Sequence, residues 1–303
     1  MNPYIQSLRP RTLPLSMSGI ILGSGLAFTE LPITNDDSHI TVVQWVIFIL
    51  AILTTLSLQI LSNLSNELGD ALKGTDADQQ GRAAYGLQSG AITQQQMKRM
   101  IALFIGLSVL FGTALVFTAF WCQPSTGGYQ PSAVYNTLVF LGLGLLAIIG
   151  AMTYTLGKHS YGYIGLGDLG VFVFFGLLST LGAYYLQTKA LTMEVCLLGA
   201  AIGFPCVGVL NLNNIRDMDN DRLHGKRTFA SLLGKTGAKI YHCCLLVACI
   251  ALFCVFRHWW VLAISPLWIW HIWYIFRHEG HDLDLQMPVL MFTTIIVACL
   301  GIW

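Results

Sequence analysis

Apolar residues run along this chain in blocks of about twenty, separated by short polar segments. A membrane-spanning helix needs roughly 20 mostly apolar residues in a row. Nine stretches have that character: 13–29, 42–62, 100–120, 135–155, 169–187, 192–212, 239–256, 259–276 and 286–303. Only Arg257 and His258 separate the seventh block from the eighth, which read either as two spans or as one broken pair. The pattern predicts an all-α, polytopic membrane helical bundle of about nine transmembrane helices, a single domain covering 1–303.

Composition agrees with that pattern. The chain is 55% apolar and 10% charged, against roughly 25% charged in soluble domains. So few charges suit a chain whose solvent is mostly lipid. The net charge of +1 argues against a nucleic-acid partner, which requires a basic excess. The eight cysteines form no CxxC pair and sit almost entirely in apolar runs. They read as buried small hydrophobes, with neither disulfides nor zinc. No basic n-region with a small-residue cleavage site precedes the first block, which reads as a retained helix.

Charge also fixes an expected orientation. With the N-terminus inside, 14 of the 16 Lys and Arg fall on the inner side, leaving only Lys189 and Arg257 outside. The outer connections, 30–41 and 121–134, are short and rich in turn formers.

Two inner segments concentrate polar chemistry: NLSNELGDALKGTDADQQGR at 63–82 and NLNNIRDMDNDRLHGKRT at 211–228. Asn66 and Asp70 are spaced i,i+4, so on a helix they share a face that Asn63 and Lys73 extend. Asn213, Asp217 and Asp221 repeat the arrangement at i, i+4, i+8. Clustered carboxylates repel one another unless a cation neutralises them. Mg²⁺ takes one or two carboxylates together with substrate phosphates. Arg216, Lys226, Arg227 and Lys73 suit the same anionic ligand. Either segment alone reads equally well as a solvated loop. Two with matching spacing on one side point to a metal–diphosphate site and to a fold with two related halves, spans 2–3 and 6–7.

Other polar features are weaker. Tyr154 and Lys158 form a further i,i+4 pair, a spacing more common in interfacial anchors than in ligands. Asp168 reads as a helix cap or as part of a pocket. Arg9 and Arg11 precede the first span and suit anionic headgroups, with Arg11 also able to reach a substrate. Gly19 and Gly23 have the GxxxG spacing of closely packed helices. Phe172, Phe174 and Phe175 are candidates for contact with an apolar substrate, or simply packing.

The segments SLRPRTLPL, NExGDxxKGTD, ITQQQMKR, YTLGKHSYGYIGLGDLGVFVFFG and NNIRDMDNDRLHGKRT resemble the UbiA superfamily of intramembrane aromatic prenyltransferases. They span residues 7 to 235 and are most like its menaquinone-pathway branch. Two departures stand out: Glu67 where an Asp usually follows the Asn, and AAYGLQSG after Arg82 without a second Arg. The resemblance implies Mg²⁺ bound by Asn66, Asp70, Asp76, Asp217 and Asp221. It implies Asp70, Asp217, Lys158 and Tyr154 as catalytic residues, with Lys73, Arg216, Lys226, Arg227 and Arg11 on the diphosphate. The implied donor is an all-trans polyprenyl diphosphate and the implied acceptor 1,4-dihydroxy-2-naphthoate, giving demethylmenaquinone with loss of CO₂. It further implies a bacterial cytoplasmic membrane, with the N-terminus and site cytoplasmic, lipid as surroundings and no obligate protein partner. Rival readings are another aromatic acceptor within the superfamily and, from a different class, a secondary transporter. A transporter would place ionisable groups near the bilayer midplane, whereas most spans here carry none in their middles.

Overall fold

The computed structural model describes residues 2–30, 42–74, 86–122, 131–158 and 160–303. Among them every regular element is helical, apart from an isolated bridge between Ile164 and Arg227. Nine helical segments among the described residues are long and apolar enough to cross a membrane. Asp76 and Arg82 lie outside the described residues.

The first span joins α1 (Pro3–Ser7) to α2 (Leu13–Glu30) through a turn in which Arg9 is left-handed, φ 51°. The second is α3 (Val42–Lys73), and the third is α4 (Gln94–Trp121), opened by a Thr93–Gln96 capping box. The fourth is α5 (Pro131–Thr153). The fifth combines α6 (Gly167–Val171), a π-helical stretch Phe172–Leu178 and α7 (Ser179–Thr188). The sixth, α8 (Met193–Arg216), leads into the short α9 (Met218–Leu223). The seventh is α10 (Phe229–Val255). The last two are α11 (Ser265–Arg277) and α12 (Gln286–Leu300), each preceded by a 3₁₀ turn.

Lipid tails are as apolar as leucine, so close packing between helices does work that hydrophobicity does not. The GxxxG pair shows this directly. A Cβ on Gly23 would lie 2.1 Å from the Thr180 carbonyl oxygen, and one on Gly19 would collide with Ser179. Only glycine lets α2 press against α7 at that separation. In α8 72% of the apolar window is buried inside the bundle, against 0% in α5. Helix α8 is therefore a central post and α5 a lipid-facing stave.

Several boundaries differ from the hydropathy reading. Helix α3 continues from the predicted 62 to Lys73 and α8 to Arg216, while α10 begins at Phe229 rather than 239 and is kinked at Gly234, φ 71°. Hydropathy marks only the segment solvated by lipid, whereas the backbone ladder continues into the polar mouth. Blocks seven and eight are separate spans, reversed by Arg257 at φ 68° and a bond from His258 N to Phe253 O. All eight cysteines are free, yet only Cys206 and Cys249 are buried, while Cys122, Cys244 and Cys299 are exposed. A bundle in lipid tolerates thiols on its outer face.

Candidate functional site

The extended ends of α3 and α8 face one cavity of about 860 Å³. Asn66, Asp70, Asn213, Asp217, Asp221 and Lys226 line its polar end. The cavity then runs between apolar walls that include Ile20, Leu115, Phe140, Phe174 and Leu186.

On the first wall, Thr155 donates to the Ser65 carbonyl at 3.0 Å and to Asn66 Oδ1 at 3.1 Å. Gly69 admits Thr155 because a Cβ there would stand 2.6 Å from its hydroxyl. Asn63 turns to the N-terminal segment, donating to the Leu8 carbonyl and to Thr12 Oγ1, both at 3.0 Å. That network carries Arg9 and Arg11 to the cavity rim. Glu67 points elsewhere: it accepts from Leu87 N at 2.8 Å and Ser7 Oγ at 3.2 Å. Its place beside Asn66 is thus structural, tying the end of α1 and the 86–87 turn to α3.

On the second wall the ladder passes through the end of α8. Asp217 N bonds Asn213 O at 2.9 Å, and Asp221 N bonds Asp217 O at 2.8 Å. The predicted stripe survives although α8 ends at Arg216. Arg216 grips Asp217 with two bonds of 2.6 and 2.5 Å, and Lys226 Nζ lies 3.2 Å from Asp221 Oδ1. Burial pushes the Asp221 carboxyl up to about 6, opposed by Lys226 and aided by the charges of Asp217 and Asp70. Burial works against charge on Lys226, but Asp221 and Asp70 raise its pKa overall.

The loop after α5 joins the two walls through Tyr163, a residue to which the sequence assigned no role. The Tyr163 hydroxyl donates to Asp70 Oδ1 at 2.8 Å, and Lys73 Nζ stands 3.7 Å from its ring centroid. Lys226 Nζ lies 5.7 Å from the same centroid, and Arg227 N bonds the Tyr163 carbonyl at 3.0 Å. The run of Gly and Tyr residues there gave a signal of tight turns, not of contact between motifs. Asp284, from the turn before α12, also lines the cavity and was missed because its span carries no motif.

The Tyr154–Lys158 pairing needs correction. Helix α5 ends at Thr153 and Gly157 adopts φ 91°, so the two side chains do not share a helical face. Tyr154 lines the cavity, packed edge-on against Tyr161 with centroids 5.2 Å apart. Burial raises the pKa of both phenols, Tyr161 to about 12, and keeps them protonated. Lys158 is exposed and lines a shallow neighbouring groove with Lys73. The Arg227 side chain is exposed and lies outside the cavity lining, while its backbone is bridged to Ile164. Asp168 neither caps a helix nor enters the cavity; it is hydrogen-bonded to Tyr241. Phe174 and Phe175 line the cavity, whereas Phe172 packs on Phe204 at 5.3 Å. The π turn between them lets two consecutive aromatics face inward.

A cation fits this donor set. Among the described residues no three His, Cys, Asp or Glu side chains converge into an all-protein cage. Mg²⁺ does not require one, since it completes its shell with water and phosphate oxygens. Asp221 Oδ2 is buried and has no hydrogen-bond partner among the described residues. Oxygen donors with an orphaned carboxylate oxygen suit a hard divalent ion.

Known proteins resemble this chain in sequence and in architecture. Residues 38–296 match the model of the UbiA prenyltransferase family. The chain is 41% identical to 1,4-dihydroxy-2-naphthoate octaprenyltransferase of Escherichia coli (strain K12), over 90% of this chain and 85% of that one. It is 30% identical to the protein of the same name from Bacillus subtilis (strain 168), over 77% and 66%. A UbiA homolog from Archaeoglobus fulgidus bound to GPP and Mg²⁺ superposes with a TM-score of 0.61 at 15% identity, covering 99% of each chain. A family match over most of the chain and that extent of identity lead to one conclusion: the chain belongs to the UbiA prenyltransferase family.

Proposed function

We propose that this membrane enzyme transfers a polyprenyl group from an all-trans polyprenyl diphosphate to 1,4-dihydroxy-2-naphthoate. CO₂ is lost, and demethylmenaquinone forms in its reduced state. The observation that carries this reading is the continuity of one cavity, from Asn66, Asp70, Asp217 and Asp221 into the apolar walls around Phe174 and Leu186. Such a chamber accepts a diphosphate at one end and an isoprenoid tail along its length. The names of the relatives from Escherichia coli and Bacillus subtilis support the choice of acceptor.

Asn66, Asp70, Asp217 and Asp221, with Asp76 from outside the described residues, are proposed to hold Mg²⁺. When bound, that ion neutralises charge on the diphosphate oxygens and makes it a better leaving group. Lys226, Arg216 and Arg11 line the same cavity, and Lys73 stands over the Tyr163 ring beside Asp70; together they offer fixed positive charge where negative charge develops. Arg227 and Lys158, exposed beside the mouth, add long-range attraction for the diphosphate. The C–O bond at the first prenyl carbon breaks, its electron pair leaves with diphosphate, and the electron-rich naphthoate ring attacks that carbon. Tyr154 and Tyr161 stay protonated beneath the carboxylates and present neutral rings. The apolar walls keep water from quenching the cationic fragment. The face bearing the site is proposed to be cytoplasmic in a bacterial membrane, as the Lys and Arg bias supports.

Purified protein in detergent with Mg²⁺, a polyprenyl diphosphate and dihydroxynaphthoate should release pyrophosphate and give a product identifiable by mass. Asp70→Ala and Asp217→Ala should each abolish turnover while leaving folding intact. Full activity in both variants, or indifference to EDTA, would overturn the metal–diphosphate reading. Parallel incubation with other aromatic acids tests the acceptor, and a preferred product from one of them overturns naphthoate.

A further inference from the structure

Arg216 ends α8 with its guanidinium shared between two carboxylates. Nε and Nη2 take both oxygens of Asp217, while Nη1 reaches Asp284 Oδ1 at 2.5 Å. The Arg216 side chain is 5% exposed, and all three residues line the cavity. Arg216 covers the bidentate face of Asp217, so a cation that takes both oxygens from that side displaces the guanidinium. A buried guanidinium left without a partner is strongly destabilised, so release depends on what still holds it. Asp284 is that partner.

The turn carrying Asp284 is fixed to the second motif at another point. Lys235 Nζ lies 3.1 Å from Asp219 Oδ2 and 3.6 Å from Glu279 Oε2. Lys239 Nζ donates to the His278 carbonyl at 3.1 Å. His281 Nδ1 lies 3.2 Å from Asp284 Oδ2, the oxygen that faces away from Arg216. Asp284 therefore sits on a braced turn across the cavity mouth.

We propose that Asp284 is a positioning residue that retains Arg216 when Asp217 passes to the cation, swinging the guanidinium toward the diphosphate. This rests on Asp217 being a cation ligand, as in the function proposed above. Replacing Asp284 leaves Arg216 with Asp217 alone, and the cation must then strip a buried arginine of its last carboxylate.

The test uses the full chain in detergent, with Mn²⁺ binding followed by electron paramagnetic resonance in the presence of a prenyl thiodiphosphate, whose C–S bond resists cleavage. Asp284→Asn should weaken Mn²⁺ binding about tenfold and raise KM for the donor diphosphate while KM for the acceptor holds. Asp284→Glu should restore both. In an Arg216→Gln background, adding Asp284→Asn should change Mn²⁺ binding less than about twofold, since nothing remains to position. That double variant lacks both charges of the Arg216–Asp284 pair, so it keeps the question answerable should Asp284→Asn alone unfold. Parental Mn²⁺ binding by Asp284→Asn, or an equal loss in the Arg216→Gln background, overturns the proposal. Parental Mn²⁺ binding by Asp217→Asn would instead overturn the cation assignment beneath it.

Discussion

Tyr163 reaches Asp70 with its hydroxyl, a 2.8 Å bond between a loop after the fourth span and the end of the second. Lys73 stacks over the same ring at 3.7 Å. The phenol thus orients a proposed cation ligand and a cationic side chain together. A hydrogen bond to a charged group contributes roughly 1.5–3 kcal/mol, or about tenfold to a hundredfold in an equilibrium. Tyr163→Phe should accordingly lower kcat/KM for the donor by about tenfold, with KM for the acceptor unmoved, in steady-state kinetics. Tyr163→Ala should cost more, because it also removes the ring beneath Lys73.

Asp221 sets a pH dependence. Burial foremost, then the charges of Asp217 and Asp70, raise its carboxyl from 3.8 to about 6. Below that value the carboxyl holds a proton that an incoming cation must displace. Mn²⁺ affinity should climb with pH up to about 6 and then level off, and Asp221→Asn should remove the step. Stability of the metal-free chain runs the other way. A group whose folded pKa is raised loses stabilisation as pH climbs from the unfolded value through the folded one. Its contribution should therefore fall between about 3.8 and about 6, as thermal melts across that window will read.

Gly23→Ala should destabilise the contact of α2 with α7. Its new methyl would meet the Thr180 carbonyl at 2.1 Å, and backbone cannot step aside as a flexible side chain can. Overpacking of this kind costs typically 1–3 kcal/mol. The melting temperature in detergent should drop, while Gly106→Ala, where a Cβ meets nothing within 4 Å, should leave it unchanged.

Lys158→Ala should reduce turnover less than about threefold, as expected of an exposed charge near the mouth. Lys226→Ala should nearly abolish it, because that ammonium faces Asp221 inside the cavity. Comparable losses in the two variants would reinstate Lys158 at the reacting centre.

Both acidic motifs were legible in the sequence because helical periodicity is local: Asn66 with Asp70, and Asn213 with Asp217 and Asp221, needed only spacing. The same rule failed at Tyr154 and Lys158, where the helix ends at Thr153 and a left-handed Gly157 follows. Tyr163 and Asp284 were illegible for another reason. Each acts across a distance in sequence, 93 residues from Tyr163 to Asp70 and 68 from Asp284 to Arg216. Tertiary placement alone gives them meaning. Helix number came through intact, since hydropathy blocks report the bilayer's thickness.

The π-helical stretch at Phe172–Leu178 makes the fifth span respond to a change of length in a way the other spans do not. A wide turn of this kind accommodates an extra residue in the ordinary spiral. The same deletion in a regular α-helix rotates everything on one side by about 100°, but removing one residue here lets the hydrogen bonds fall back to i,i+4 with both flanks in register. Phe174 and Phe175 would no longer share the cavity wall, although no residue identity elsewhere had changed. Single-residue deletions, commonly dismissed as disruptive in any transmembrane helix, thus become a graded probe here: tolerated by the backbone, but re-aiming the lining of the chamber.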